Sequence, residues 1–187
     1  AVICALYVFV ITECMNLDSQ VGPYRILRRI NQGGQGSVFL GYDKRLQRRV
    51  AIKIYTLAAK HGSRKQLRRE AQLVASMHSH KVVQIYDVIE SSTHLALIME
   101  YVPGSSLEEL LAAVRPSLAS VLTVGVDIAG ALALARQQHI VHGDVKAANV
   151  LITECGRAKL ADFGIARVTG EEPSRQWAAG SFHALSP

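Results

Sequence analysis

Apolar and polar positions change their rhythm about half-way along the chain. Tyr24 to Leu27 begins a strand-like run that passes Ile30, enters a glycine-rich turn and emerges at Val38-Phe39-Leu40. Val50 to Tyr55 is a second β-rich run after a basic turn. From Ser63 to Met77 the apolar residues Leu67, Ala71, Val74 and Met77 recur at the spacing that lines one face of a helix. Val82 to Ile89 and Leu95 to Val102 read as strands joined by a Ser-Ser-Thr turn. Pro103-Gly104 breaks this pattern, and helices over Ser106 to Ala113 and Pro116 to Gln138 follow. A strand-rich half thus precedes a helical half, with a hinge near Tyr101 to Gly104, which predicts an α+β fold in two lobes.

Composition supports a folded chain: 187 residues, 49% apolar and 19% charged, with neither a low-complexity run nor a long internal repeat. The formal charge of +6 arises around Arg28/Arg29, Arg48/Arg49 and Arg64 to Arg69. No aromatic residues interleave these stretches, so they read as a solvated basic face and no nucleic acid is expected. Cys4, Cys14 and Cys155 are odd in number and lack metal spacing, which suggests a reducing cytosol. Ala1 to Ile11 is apolar and uncharged, but a membrane span needs about 20 residues. It also lacks the basic start and cleavage site of a signal peptide. The end of a transmembrane helix in a membrane-anchored parent, a packed strand, and residues upstream of a start at Met15 all stay open. Leu118 to Ala135 is longer, yet Asp127 lies inside it. A mid-membrane charge is costly, so the segment is expected to be a helix buried in a soluble core.

Several residues carry chemistry. In Asn31-Gln32-Gly33-Gly34-Gln35-Gly36-Ser37-Val38 the missing β-carbons let backbone N–H groups approach phosphates. Glycine-rich hairpins are common without any ligand, so this signal is weak alone. Lys53 sits in the apolar strand Val50-Ala51-Ile52-Lys53, and Glu70 lies between Leu67 and Val74 on the apolar helix face. A carboxylate there needs a partner, and Lys53 is the natural one. The strongest segment is Ile140-Val141-His142-Gly143-Asp144-Val145-Lys146-Ala147-Ala148-Asn149, which sets an acid, a cation and an amide close together. Asp162-Phe163-Gly164 begins 13 residues beyond Asn149. An amide and a carboxylate from two loops make a hard-oxygen site suited to Mg²⁺ on phosphates.

In these motifs, in this order from Tyr24 to Pro187, the chain resembles the eukaryotic-type (Hanks-type) protein kinase family, particularly its bacterial Ser/Thr members. The resemblance implies a kinase-like two-lobe fold. Residues 24–102 would form a β-rich N-lobe, 103–187 part of a helical C-lobe, and 1–23 an N-terminal extension. It implies ATP and Mg²⁺ as cofactors and a protein Ser/Thr hydroxyl as acceptor. Asn31, Gly33 and Gly36 would belong to the loop over the phosphates. Val38, Ala51 and Leu151 would pack on the adenine, with Met99 as gatekeeper and the backbone of Glu100 and Val102 at the adenine edge. Lys53, held by Glu70, would bind the α- and β-phosphates. Asp144 would take or orient the acceptor proton, Lys146 would neutralise γ-phosphate charge, and Asn149 and Asp162 would hold Mg²⁺. His142, Phe163, Val74 and Ile85 would form an apolar stack.

The chain departs from the pattern in places. Asn31 stands for the first loop glycine, Gly143 for the arginine usually found before the catalytic aspartate, and Ala184 for a frequent tyrosine. Gly143 implies control that does not use an arginine–phosphate pair. Leu185-Ser186-Pro187 resembles the start of the motif that closes the activation segment, without its final glutamate. By resemblance the C-lobe is therefore incomplete and the chain by itself weakly active. Two alternatives accompany phosphoryl transfer to protein hydroxyls: a pseudokinase that binds ATP as a scaffold, and a small-molecule kinase of related fold.

Overall fold

Strands form where β-branched and aromatic residues cluster. In the computed structural model, which describes residues 20–33, 36–56, 68, 71–91, 94–163 and 167–168, six of them make one sheet. They are β1 (Gln20–Val21), β2 (Tyr24–Gly33), β3 (Gly36–Asp43), β4 (Arg48–Thr56), β5 (Ile85–Glu90) and β6 (His94–Glu100), in the order β1-β2-β3-β4-β6-β5. Phe39 pairs with Ile52 and Ile52 with Ile98. These three join Tyr24, Ile26, Val50 and Ala96 in a buried core on one face. Successive side chains alternate between faces and cross-strand partners share one, so Val38, Leu40, Ala51, Lys53, Leu97 and Met99 belong to the other. Buried Asp43 turns β3 into β4: its Oδ1 accepts the backbone N–H groups of Arg45 at 3.0 Å and Leu46 at 3.2 Å.

The chain divides into two compact units, Ala1–His61 with Tyr86–Tyr101, and Gly62–Ile85 with Val102–Pro187. Residues 62–85 group with the second unit, where Val74, Met77 and Val82 are buried in one core with Ala131, Ala135, Ile140, Val150, Ala158, Leu160 and Phe163. Residues 71–75 are helical, and Ala71, Val74 and Met77 are all buried as their spacing predicts; Leu67 lies outside the described residues.

The expected strand from Val82 begins three residues late, at Ile85. Val82 instead bridges Leu160 in parallel, with Val83 N–H donating to Leu160 O at 3.0 Å and Leu160 N–H to Lys81 O at 2.8 Å. Gly104, read as part of a break, starts β7 (Gly104–Ser106), which pairs with β9 (Val150–Thr153). β9 pairs in turn with β10 (Ala158–Leu160), and β8 (Ile140–Val141) with β11 (Arg167–Val168).

Helix α1 (Leu107–Ala113) starts in a capping box. Ser106 Oγ accepts Glu109 N–H at 3.1 Å, and Glu109 Oε2 accepts Ser106 N–H at 2.8 Å. Helix α2 (Leu118–Gln137) starts after Ser117, whose Oγ accepts Ser120 N–H. It is long and apolar enough to cross a membrane by length and composition. The expectation that it is a buried core helix is corrected: only Asp127, Ala131 and Ala135 are buried, while Leu118, Val121, Leu122 and Val126 are exposed. Its buried residues recur every fourth position, which makes a single narrow stripe, and that stripe faces β8 and β10.

Candidate active site

In the second unit, Asp144 is the hub of a short loop. His142 is buried and uses both ring nitrogens. Nδ1 accepts the Asp144 N–H at 3.2 Å, so Nε2 carries the proton and donates to Ala161 O at 3.0 Å. Burial pushes its pKa below the usual histidine value, which favours this neutral tautomer. Its ring packs against Phe163, with centroids 4.4 Å apart. Val74 is buried in the same core and Ile85 packs against it, so the four members of the expected apolar stack share one cluster environment. Between His142 and Asp144 the backbone passes through Gly143 at φ +79°, a conformation that costs a β-carbon-bearing residue about 1–2 kcal/mol.

Asp144 is 8% exposed, so its charge needs partners. Lys146 Nζ lies 2.7 Å from Oδ2. Asn149, at the end of the 3-10 turn Ala147–Asn149, donates from Nδ2 to Asp144 O at 2.8 Å and to Asp144 Oδ2 at 3.1 Å. Both bonds use the amide nitrogen, which fixes the orientation of the group and leaves its carbonyl oxygen as the end suited to a hard cation. Asn149 O also accepts Ala161 N–H at 2.8 Å. That bond ties Asn149 to the residue before Asp162, which takes φ +64°. Oxygen donors on Asn149 and Asp162 fit Mg²⁺ on phosphate. Among the described residues no group of three or more His, Cys, Asp and Glu side chains could hold a metal. Leu151 follows in β9, half-buried opposite Lys159.

In the first unit, Val38, Ala51, Lys53 and Met99 share the face away from the core, as the ladder pairs Val38 with Lys53 and Ala51 with Met99. Lys53 is 3% exposed, unlike the exposed lysine such a strand position usually holds. Its Nζ lies 5.1 Å from the centre of the Tyr55 ring, two residues along the same face. Glu100 ends β6, and Val102 follows just beyond in the second unit. Asn31, opposite Val38, is exposed. Gly33 pairs with Gly36, whose φ is +136° and whose absent β-carbon would collide with the Ile54 carbonyl oxygen. That close approach explains why glycine stands at Gly36. Glu70, Gly34 and Gly164 lie outside the described residues, as do Ala184 and the chain from 169 onward.

One pair escaped the sequence reading. Asp127 Oδ2 accepts Arg157 Nε–H at 2.8 Å and Ala158 N–H at 3.1 Å, and its Oδ1 accepts Arg157 Nη2–H at 2.5 Å. Asp127, a lone charge in an apolar run, needs a partner as Glu70 does, and its partner lies 30 residues away.

Residues 24–187 match the family described as protein kinase domain. The chain is similar to serine/threonine-protein kinase PrkC of Bacillus subtilis, 39% identical over 171 residues that cover 89% of this chain and 26% of that protein. It is 38% identical over 152 residues to serine/threonine-protein kinase pkn2 of Myxococcus xanthus, covering 79% and 18%. To serine/threonine-protein kinase PknL of Mycobacterium bovis it is 37% identical over 160 residues, covering 83% and 39%. The chain thus spans at most 39% of the length of these relatives.

Proposed function

This chain belongs to the protein kinase domain family, and from that premise we propose that it transfers the γ-phosphoryl group of ATP to serine and threonine hydroxyls of proteins. The carrying observation is the arrangement around Asp144: a buried carboxylate held by Lys146 Nζ and Asn149 Nδ2, one hydrogen bond removed from the segment bearing Asp162.

Asp144 accepts or orients the proton of the acceptor hydroxyl, and its fixed geometry holds that oxygen for in-line attack on the γ-phosphorus. Lys146 neutralises charge on the transferring group. Asn149 Oδ1 and the Asp162 carboxylate would hold Mg²⁺, which when bound would supply positive charge to neutralise the phosphates. Lys53 binds the α- and β-phosphates, with Glu70 as its partner. Val38, Ala51, Met99 and Leu151 pack on the adenine, and the backbone of Glu100 and Val102 meets its edge. Asn31, Gly33 and Gly36 belong to the backbone loop over the phosphates. The serine/threonine class is supported by Lys146 two residues after Asp144 and by the names of the relatives.

The test is incubation with γ-labelled ATP, Mg²⁺ and a hydroxyl-bearing protein acceptor, followed by phosphoamino-acid analysis. Label on serine or threonine is expected. Label only on small metabolites supports the small-molecule kinase instead. A folded, nucleotide-binding chain that transfers nothing supports the pseudokinase.

A further inference from the structure

Asp127 is charged, buried and absent from the reaction just described. It accepts three hydrogen bonds, two from Arg157 and one from the backbone of Ala158. A buried ion pair is weak evidence for stability, because apolar residues of similar volume often serve as well. What this pair does is fix a place: Arg157 and Ala158 are where β10 begins.

β10 has three residues, paired Ala158 to Ile152, Lys159 to Leu151 and Leu160 to Val150. A slip of one residue in so short a ladder would turn Ala158 and Leu160 out of the core and every side chain to the opposite face, so the start of the strand has to be held in place. The two proposed cation ligands sit at the open end of this hairpin. Asn149 immediately precedes β9, and Asp162 lies two residues beyond β10, about 13 Å along an extended chain from Ala158. Lys81 adds a second fastening. Its carbonyl accepts Leu160 N–H, and its side chain lies over Gly130 of α2, where a β-carbon would meet Nζ.

We propose that Asp127 is a positioning residue for cation binding, holding the start of β10 in register so that Asp162 stands beside Asn149. This inference rests on the reading of Asn149 and Asp162 as Mg²⁺ ligands.

The test is nucleotide affinity measured across a Mg²⁺ titration, with and without chelator, beside a thermal melt of each protein. In Asp127→Asn the Mg²⁺ concentration for half-maximal enhancement of nucleotide binding should rise about tenfold, as on losing the outer support of a metal site. Metal-free nucleotide affinity should hold within about twofold, since among the described residues the hydrogen bonds of Asp127 go to Arg157 and Ala158 and not to a proposed nucleotide-binding residue. Ala131→Gly, in the same buried stripe but with no side-chain hydrogen bond to Arg157 or Ala158, should melt lower with its Mg²⁺ dependence unchanged. Arg157→Lys, at a half-exposed side chain, keeps the charge and loses the two-bond fork. It should shift the Mg²⁺ dependence in the same direction, and it carries the test if Asp127→Asn does not fold. Equal Mg²⁺ dependence in the wild-type chain and in whichever variant folds overturns the proposal while leaving phosphoryl transfer intact. A wild-type chain whose nucleotide binding ignores Mg²⁺ overturns both.

Discussion

Asp127 shows most plainly how one residue's surroundings become measurable. The Arg157 hydrogen bonds hold its pKa down to about 2 from 3.8, against the opposing effect of burial. A carboxylate depressed in this way adds stability above its unfolded pKa and loses it as pH falls through the folded value. The contribution is therefore full above about pH 4 and fades toward about pH 2. Melting temperature followed by circular dichroism over that range should fall more steeply for the wild-type chain than for Asp127→Asn; parallel curves would contradict the assignment. Much of the site was legible at this scale. Asp144, Lys146 and Asn149 lie within six residues of one another, so their shared chemistry could be read directly. The role of His142 Nε2 and the Asp127–Arg157 pair could not, because their partners stand 19 and 30 residues away.

Among the elements, the two helices expected over Ser106 to Ala113 and Pro116 to Gln138 run over Leu107–Ala113 and Leu118–Gln137. Ser106 and Glu109 sit at capping-box spacing, and both reciprocal bonds are present. Ser106→Ala should lower unfolding free energy by about 1 kcal/mol in a urea titration, without moving nucleotide affinity. An unchanged midpoint would mean that packing of α1 on β7 and β9 outweighs its cap. Helix α2 was legible in existence and extent but not in burial. Its sequence is apolar nearly all round, so no polar face marks the solvent side. The small side chains of Ala131 and Ala135 with Asp127, not the larger Leu118, Leu122 and Val126, form the packed stripe. Local pattern likewise placed a strand at Val82, whose backbone belongs instead beside Leu160.

For the whole molecule, the change from strand rhythm to helix rhythm correctly announced a β-rich part and a part holding α1 and α2. Which unit claims residues 62–85 depends on pairings between Lys81–Val83 and Leu160, some 80 positions apart, and local periodicity carries no such information. The central claim is that the Asp144 carboxylate takes part in the chemical step and not in holding the nucleotide. Its most direct test compares Asp144→Asn with the wild-type chain in two readouts, nucleotide affinity in Mg²⁺ and the rate of label transfer to protein hydroxyls. The amide can still meet Asn149, so affinity should stay within about twofold while transfer falls by about 10²–10⁴-fold. Transfer that persists at the wild-type rate, or falls only in step with lost nucleotide binding, would contradict the account.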